Sequence, residues 1–309
     1  MAETQTAVAA PEGSLDAGVP WHFGDPFAEQ RLLESGDGVV DLSHRPVVEV
    51  AGEDRLTFLH TLTSQHVSEL PPGEWTQALI LDANGRVEHH VTLVDDGSKV
   101  LAHIEPGTTD ALMEYLRAMV FWSKVELRVR DDLGVLWRPG PSGMDGADRF
   151  EFVPRDAVTS VDGHRAGTWA YEALRVAAGR PRLGFDTDHK TIPAEANWIG
   201  VAVHLHKGCY RGQETVARVH NLGQPPRRLV RLHLDGSDDS LPARGDALQA
   251  NGRAVGFVGT VIQHYELGPV ALGLLKRNLA DDAEVVAASA DGATRPVTVE
   301  TVEPPETET

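Results

Sequence analysis

The sequence predicts an α+β fold, in which helices and strands are joined by short loops, and three observations lead to that prediction. Asn84-Gly85 lies between two apolar runs, which is the strongest short signal for a β-hairpin. Residues 108–122 carry apolar side chains at helical spacing. Short apolar runs separated by Gly, Asn and Asp fill residues 227–302, as in a small β-barrel or sandwich. Helices mixed with antiparallel strands in this way are typical of the α+β class.

The remaining elements follow from the same periodicities. Leu56, Leu59 and Leu62 lie near one face of a predicted helix. The alternating or apolar runs predict strands, and a run with helical spacing predicts a later helix. These elements are a strand at 46–50, a helix within 53–70, a meander over 76–105, a strand at 125–130 and a helix over 169–184.

The length of the chain predicts more than one domain, because 309 residues exceed the usual size of a single hydrophobic core. Residues 138–148 are dense in Gly and Pro and predict a boundary between two α+β subdomains. The predicted organisation is a disordered tail at 1–19, two α+β subdomains over 20–226, a C-terminal β-barrel over 227–302 and an acidic tail at 303–309.

Composition and charge exclude several classes of protein. One cysteine excludes an internal disulfide framework, and no apolar run reaches the roughly 18 residues of a membrane span. We therefore expect a cytoplasmic protein. A net charge of −18 disfavours nucleic acid and anionic membranes as partners. The segment 207–231 is the exception, because six basic residues stand there against one acidic residue.

The single cysteine, Cys209, lies in KGCYRGQE, residues 207–214. Lys207 and Arg211 would favour the thiolate, which is the reactive form of a thiol. Gly212 is placed to cap a short helix from residue 213 to about residue 220. This setting indicates a functional thiol.

Other interpretations of Cys209 remain open. It could be a small buried hydrophobic residue, which is the common fate of a free cysteine. His204, His206 and His220 could form a metal site with it, although this spacing is not a standard zinc pattern, and we expect no metal. It could also be a nucleophile with His206 or His220 as the base.

Three further charged residues are candidates for binding. Glu195 lies in IPAEANW, where a carboxylate either caps a helix or holds a ring edge through two hydrogen bonds. Arg227 and Arg228 follow a diproline, and arginine binds carboxylates through two parallel hydrogen bonds. The glycine-rich phosphate-binding loops of nucleotide-binding proteins are absent.

The segment KGCYRGQETVAR, residues 207–218, resembles the signature of the YgfZ family of folate-binding proteins, which are related to the glycine-cleavage T-protein. Three other stretches resemble the T-protein superfamily in the same order along the chain. They are LTFLHTLTSQHVSELPPGEWTQALILDANGRV, ALRVAAGRPRLGFDTDHKTIPAEANW, and PPRRLVRL followed by GRAVGFVGTV. The resemblance covers roughly residues 40–302.

The resemblance implies a three-part ring, with two α+β portions and a C-terminal barrel around a central channel that binds tetrahydrofolate or a derivative. It implies that Glu195 grips the pterin edge and that Arg227 or Arg228 meets the glutamate tail, with Cys209 at or near the channel. The full set of residues carried over is Glu195, Lys207, Tyr210, Gln213, Arg227 and Arg228 for the cofactor, with Gly208, Gly212 and Glu214 completing the motif.

The function implied is support for the assembly or repair of iron–sulfur clusters in client enzymes, one of which thiolates tRNA. No established reaction is implied. T-proteins carry paired aspartates where this chain has His89 and His90, which argues against aminomethyl transfer. A folate-dependent aminomethyltransferase, with Glu88 in place of the lost carboxylate, is the alternative. A tRNA-binding module that uses segment 207–231 is the third hypothesis.

Overall fold

A computed structural model describes residues 6–14, 16–140, 149–236, 240–280 and 282–305. These residues form two larger sheets with packed helices, a small two-stranded sheet and a closed barrel, so the α+β class and the three-part architecture are confirmed. The five α-helices among them are Pro26–Glu34, Arg55–Leu62, Thr109–Ala118, Thr168–Ala177 and Gln213–Leu222. Two 3₁₀ helices span Arg155–Ser160 and Pro193–Ala196.

The first α+β portion is a five-stranded antiparallel sheet covered by two helices. Its strands, in spatial order, are Trp75–Leu81, Val87–Asp95, Lys99–Ile104, Val47–Ala51 and Glu126–Val129. The turn at Asn84-Gly85 joins the first two strands, which confirms the predicted hairpin. The helices Arg55–Leu62 and Thr109–Ala118 bury their apolar faces against the sheet in one core.

The second α+β portion is built from two separate stretches of the chain, one that precedes the first portion and one that follows it. Its four strands are Arg149–Pro154, Leu133–Arg138, Val39–Asp41 and Arg165–Ala166 in spatial order. The helices Pro26–Glu34 and Thr168–Ala177 pack against each other and contribute Leu33, Tyr171 and Leu174 to its core.

The predicted subdomain boundary near 138–148 is wrong. Residues 141–148 lie outside the described residues, but Arg138 on one side pairs with Arg149 on the other in a single antiparallel ladder. The segment therefore connects two strands of the same sheet. The chain passes between the two portions at 42–46 and again at 130–132, where no Gly- or Pro-rich signal is present.

The N-terminal segment also differs from the prediction of a disordered tail. Val8–Ala9 pairs with the strand Pro20–His22, and Asp16 is buried. The carboxylate of Asp16 lies 3.0 Å from a guanidinium nitrogen of Arg182, 166 residues further along the chain. The ion pair holds this segment against the body of the protein. Residues 306–309 of the predicted acidic tail lie outside the described residues.

The C-terminal part is a closed six-stranded antiparallel barrel. Its strands are, in order around the barrel, Arg227–Leu234, Gly268–Lys276, Arg253–His264, Ala247–Ala250, Val285–Ala288 and Thr294–Thr301. Alternate residues point inward, and Val230, Leu232, Leu248 and Val258 are fully buried there. The two strands Val8–Ala9 and Pro20–His22 form a small sheet of their own. No helix among the described residues is both long and apolar enough to cross a membrane.

Candidate functional site

A cavity of about 840 Å³ opens where the three parts meet. Trp75 comes from the first sheet, Phe150 from the second, and Trp198 from the segment before the barrel. The Trp75 and Phe150 rings lie 5.5 Å apart, centroid to centroid. Val302 follows the last barrel strand and completes the wall. The cavity lies where the resemblance implies the central channel, and three aromatic rings line it.

Polar groups from two paired strands of the first sheet line this cavity. Gln77 and Thr92 sit opposite each other on paired strands of the first sheet, and both line the cavity. Asn197 adopts a left-handed conformation with φ of 55° and donates a hydrogen bond from Nδ2 to the Val302 carbonyl, 2.9 Å away. That bond joins the wall around Trp198 to the end of the barrel.

A smaller space of about 70 Å³, here called the inner chamber, adjoins the cavity. The two share Gln77, Thr92, Phe150, Arg180 and Pro181, and the chamber adds Arg45, Ile104, His90, His103, Glu105, Tyr171, Arg175 and Arg182. His90 Nε2 lies 2.8 Å from Gln77 Oε1, and its ring stacks 4.9 Å from Trp198. Burial lowers the pKa of His90 to about 4, so its ring is neutral at pH 7.

A buried ionic cluster of two arginines and four carboxylates lies beside the inner chamber. Arg182 bonds to Glu105, Glu172 and Asp16, at 2.7, 3.0 and 3.0 Å. Arg175 bonds to Glu172 and Asp186, at 2.6 and 2.8 Å, and also to Thr260 of the barrel, at 2.8 Å. Burying a charge costs much less free energy when the charge is paired and hydrogen-bonded. The cluster therefore joins the N-terminal segment, both α+β portions and the barrel.

Lys207, the first residue of the motif, is buried and points away from the cavity. Its ammonium donates hydrogen bonds to the carbonyls of His60 and Thr63, at the C-terminal end of the helix Arg55–Leu62. Helix C-termini leave carbonyls without partners, and a cation suits both those groups and the helix dipole. Burial lowers the pKa of Lys207 to about 8. The position assigns Lys207 the capping of a helix.

Gly212 brings the motif into contact with the Asn84-Gly85 hairpin. It has φ of 81° and forms the N-cap of the helix Gln213–Leu222. A Cβ placed on Gly212 would lie 2.6 Å from the Asp82 carbonyl oxygen and 2.8 Å from the Gly85 Cα. A Cβ on Gly85 would in turn lie 2.6 Å from the Thr215 Cβ. The two backbones meet so closely that both positions require glycine.

The other motif residues lie around this contact. Tyr210 is buried with Trp198 and Val216, and burial raises its pKa to about 12. Gln213 opens the helix, its N–H donating to the Tyr210 carbonyl. Glu214 pairs with Arg218 on the exposed helix surface, at 2.9 Å. Gly208 has open space around it.

Cys209 is exposed and is not among the residues that line the cavity or the inner chamber. Its exposure contradicts the interpretation of it as a buried hydrophobic residue, whereas its placement at or near the channel stays a prediction. The nearby rings of His60, His66 and His204 are in contact, with centroids 4.8 and 5.2 Å apart. Within the described ranges, no three His, Cys, Asp or Glu side chains are arranged to hold a metal ion.

Glu195 and Arg227 bind each other. Glu195 is 1% exposed, and both of its carboxylate oxygens accept hydrogen bonds from Arg227, at 2.8 and 2.7 Å. Its Oε2 also accepts from the Ile192 backbone N–H. Arg227 further bonds to Asp188. Burial lowers the pKa of Arg227, but the bonds to Glu195 and Asp188 outweigh it and raise that pKa above its usual value. Arg227 therefore does bind carboxylates, but they are those of Glu195 and Asp188 in the protein and not those of a ligand.

None of the six residues predicted to bind the cofactor lines the cavity or the inner chamber. They are Glu195, Lys207, Tyr210, Gln213, Arg227 and Arg228, the last of which lies half-buried at the start of the first barrel strand. Of the residues named in connection with aminomethyl transfer, His90 lines the inner chamber, whereas Glu88 is bonded to Arg211 at 2.9 Å. Arg45 and His103 do line the inner chamber, but no motif or spacing around either residue marks it in the sequence as a site residue.

Comparison with known proteins agrees with this architecture. Residues 227–306 match the family model described as the CAF17 C-terminal beta-barrel domain. A probable aminomethyltransferase of Natronomonas pharaonis is 29% identical over 304 residues, covering 82% of this chain and 84% of that protein. An aminomethyltransferase of Geobacillus kaustophilus is 27% identical over 319 residues, covering 85% of each chain.

A solved structure shows the same fold over nearly the whole chain. The crystal structure of the glycine cleavage system aminomethyltransferase T from Bartonella henselae superposes with a TM-score of 0.76. It covers 97% of this chain and 94% of that one, at 17% sequence identity. The protein therefore has the fold of that aminomethyltransferase. The barrel match and the two relatives agree with the resemblance of the sequence to the T-protein superfamily.

Proposed function

We propose that the protein binds tetrahydrofolate or a derivative in its central cavity and supports the assembly or repair of iron–sulfur clusters in client enzymes. A client that thiolates tRNA would connect it indirectly to tRNA modification. Its partners would be folate and iron–sulfur client or assembly proteins in the cytoplasm, without direct contact with nucleic acid or membrane. The observation that carries the proposal is the aromatic-walled cavity of about 840 Å³ between the three parts of the fold.

The cavity has the chemistry that a folate requires. Ligand pockets typically enclose about 300–1,000 Å³ and combine apolar walls with a few polar groups. Trp75, Phe150 and Trp198 offer faces for a fused ring. Arg149 and Arg180 also line the cavity and would attract the carboxylates of a glutamate tail. These two arginines take the role that the sequence alone assigned to Arg227 and Arg228.

The position of Cys209 supports a role directed toward a partner protein. The thiol is exposed on a turn held between buried Lys207 and the close contact at Gly212. A larger molecule can reach it there without entering the cavity. One thiol cannot hold a cluster alone, so a client or assembly protein would supply the remaining ligands. Ligand binding and thiol chemistry would then occupy separate places on the molecule.

Calorimetric titration with tetrahydrofolate under anaerobic conditions tests the binding step. Wild type, Trp75→Leu and Cys209→Ala are compared. We expect Trp75→Leu to weaken binding about tenfold or more, since base–aromatic stacking contributes about 1–3 kcal/mol. Cys209→Ala should bind as the wild type does. Absence of binding in the wild type would refute the proposal.

A deletion strain tests the step that involves the thiol. We expect wild-type protein to restore the activity of iron–sulfur enzymes, and Cys209→Ala to restore it poorly. Trp75→Leu should show the same defect if folate binding and the thiol act together. Full restoration by Cys209→Ala would rule out a role for the thiol while leaving folate binding intact.

A folate-dependent aminomethyltransferase is the second candidate, because two relatives that cover more than four fifths of this chain are named for that activity. The neutral ring of His90 stands in the chamber at the position where the resemblance leads one to expect a carboxylate. Glu105 also lines the chamber, but Arg182 binds it. Turnover of an aminomethylated donor with tetrahydrofolate would establish this activity, and its dependence on His90 would locate the chemistry.

A further inference from the structure

Arg45 places an unpaired guanidinium edge at the inner chamber. The residue is 4% exposed, and neither Nε nor Nη2 finds a hydrogen-bond partner in the described part of the chain. Its guanidinium lies 5.4 Å from the centroid of the Tyr171 ring, which fixes its plane but satisfies none of its N–H groups. A buried donor left unpaired costs about 1–3 kcal/mol, and more when the group is charged.

His103 presents a second unpaired atom to the same space. The residue is 3% exposed, and its Nε2 has no hydrogen-bond partner within the described ranges. Its ring packs 4.5 Å from Phe150, on the side of the chamber nearer the cavity. Burial, followed by the charge of Arg45, holds the pKa of His103 well below its usual value. The ring is neutral and can donate or accept one hydrogen bond at Nε2.

The neighbouring charges do not satisfy Arg45. Both carboxylate oxygens of Glu105 are directed to Arg182, at 3.1 and 2.7 Å. Arg175 is likewise bonded within the ionic cluster, to Glu172 and Asp186. The hydrogen bonds of these carboxylates are therefore used within the cluster. Arg45 is attracted to Glu105 through charge alone, and its Nε and Nη2 remain available to a group that enters the chamber.

We propose that the Nε–Nη2 edge of Arg45, together with His103 Nε2, receives a planar pair of acceptor atoms at the buried end of the ligand in the central cavity. This inference rests on the proposed function for the identity of that ligand. An arginine edge suits two adjacent acceptors, as in its pairing with a carboxylate or with the O6 and N7 atoms of guanine. In a folate, the carboxylates of the glutamate tail offer such a pair. The pterin edge offers O4 beside N5 in an oxidised pterin, and O4 beside the formyl oxygen in 5-formyltetrahydrofolate.

The dimensions of the two spaces agree with this arrangement. The inner chamber, at about 70 Å³, has room for the leading edge of a ligand, whereas the adjoining cavity of about 840 Å³ has room for its body. The same chamber would otherwise hold a few ordered waters, each of which needs about 10–15 Å³ of such volume. The experiment must therefore distinguish a chamber that binds part of the ligand from a chamber that holds only water.

The test is anaerobic calorimetry with wild type, Arg45→Lys and Arg218→Lys. Arg45→Lys keeps the charge but loses the two-donor edge, and Arg218→Lys is the matched control on the exposed surface of the helix Gln213–Leu222, outside both spaces. The probes are 5-formyltetrahydrofolate, 6-methylpterin, which lacks the tail, and p-aminobenzoylglutamate, which lacks the ring. Arg45→Lys should weaken binding of 5-formyltetrahydrofolate by about 10- to 100-fold.

The two fragments then identify which end of the ligand is buried. An equal loss for 6-methylpterin alone places the ring edge against Arg45, and an equal loss for p-aminobenzoylglutamate alone places a carboxylate there. If Arg45→Lys binds all three probes as the wild type does, the chamber is only hydrated and this inference fails, while the proposed function stands. If the wild type binds none of them, the proposed function fails and this inference fails with it.

A second measurement needs no ligand. Arg45→Met removes two buried N–H donors that lack partners among the described residues and, against that gain, the attraction between Arg45 and Glu105. The thermal midpoint of the free protein should therefore change little, as is common when a functional site is relaxed. A large fall in the midpoint would show that Arg45 serves to hold the fold, which would overturn its assignment to a ligand.

Discussion

Replacing Gly212 with alanine tests the contact between the cysteine motif and the Asn84-Gly85 hairpin. The new Cβ would lie 2.6 Å from the Asp82 carbonyl oxygen, and the backbone would have to keep φ near 81°. The left-handed conformation costs an alanine roughly 1–2 kcal/mol. Forcing two backbones apart costs about 1–3 kcal/mol more, by analogy with overpacked cores. We expect the free energy of unfolding to fall by about 3 kcal/mol.

Thermal unfolding followed by circular dichroism measures this loss, and Gly208→Ala is the matched control. Gly208 lies four residues earlier in the same turn, and a Cβ there meets nothing within 4 Å. At about 2–4 °C per kcal/mol, Gly212→Ala should lower the midpoint by roughly 6–12 °C. Gly208→Ala should change stability by less than about 0.5 kcal/mol.

Hydrogen exchange locates the effect. In Gly212→Ala the amides of 82–87 and of the first turn of the helix Gln213–Leu222 should exchange faster than the barrel amides. If Gly212→Ala and Gly208→Ala unfold at the same temperature, the close approach does not exist in solution, and the structural argument for the motif is refuted.

Three further predictions concern ionisable side chains that are buried or partly buried. Arg227→Met should destabilise the protein by about 3–5 kcal/mol in denaturant unfolding, because it leaves buried Glu195 unpaired, and removing both charges together should recover part of that loss. Asp16→Asn should lower stability by about 1–3 kcal/mol through Arg182, whereas no change would mean that the N-terminal segment is loose. Burial lowers the pKa of His89 to about 4 in the folded protein. In the unfolded chain the same ring binds a proton at a higher pH, so the free energy of unfolding should fall as the pH drops from 6.5 to 4. His89→Leu should reduce that fall by up to about 3 kcal/mol, and an unchanged pH profile would contradict the burial of the ring.

Local patterns predicted much of the architecture correctly. The hairpin at Asn84-Gly85 and the short strands after Pro225-Pro226 are where the sequence indicates them. The glycine cap at Gly212 is also as predicted, with the helix extending to Leu222. Such features depend on a few consecutive residues, whose backbone preferences act before any distant contact forms.

The boundary at 138–148 and the disordered tail at 1–19 show where local patterns mislead. A Gly- and Pro-rich stretch indicates a connection, but not whether it joins two domains or two strands of one sheet. The composition of the N-terminus suggests disorder, yet one buried carboxylate, Asp16, is matched by a guanidinium 166 residues away. No local signal encodes such a pairing.

For the candidate site, the sequence by itself determined the class of fold, the motif around Cys209 and its glycine-dependent turn. Tertiary structure alone decided what each charged side chain meets. Glu195 and Arg227 are paired with each other, and Lys207 caps a helix, while Arg45 and His103 face the inner chamber. The physical reason is that the binding partners of a buried charge are set by which distant segments pack around it.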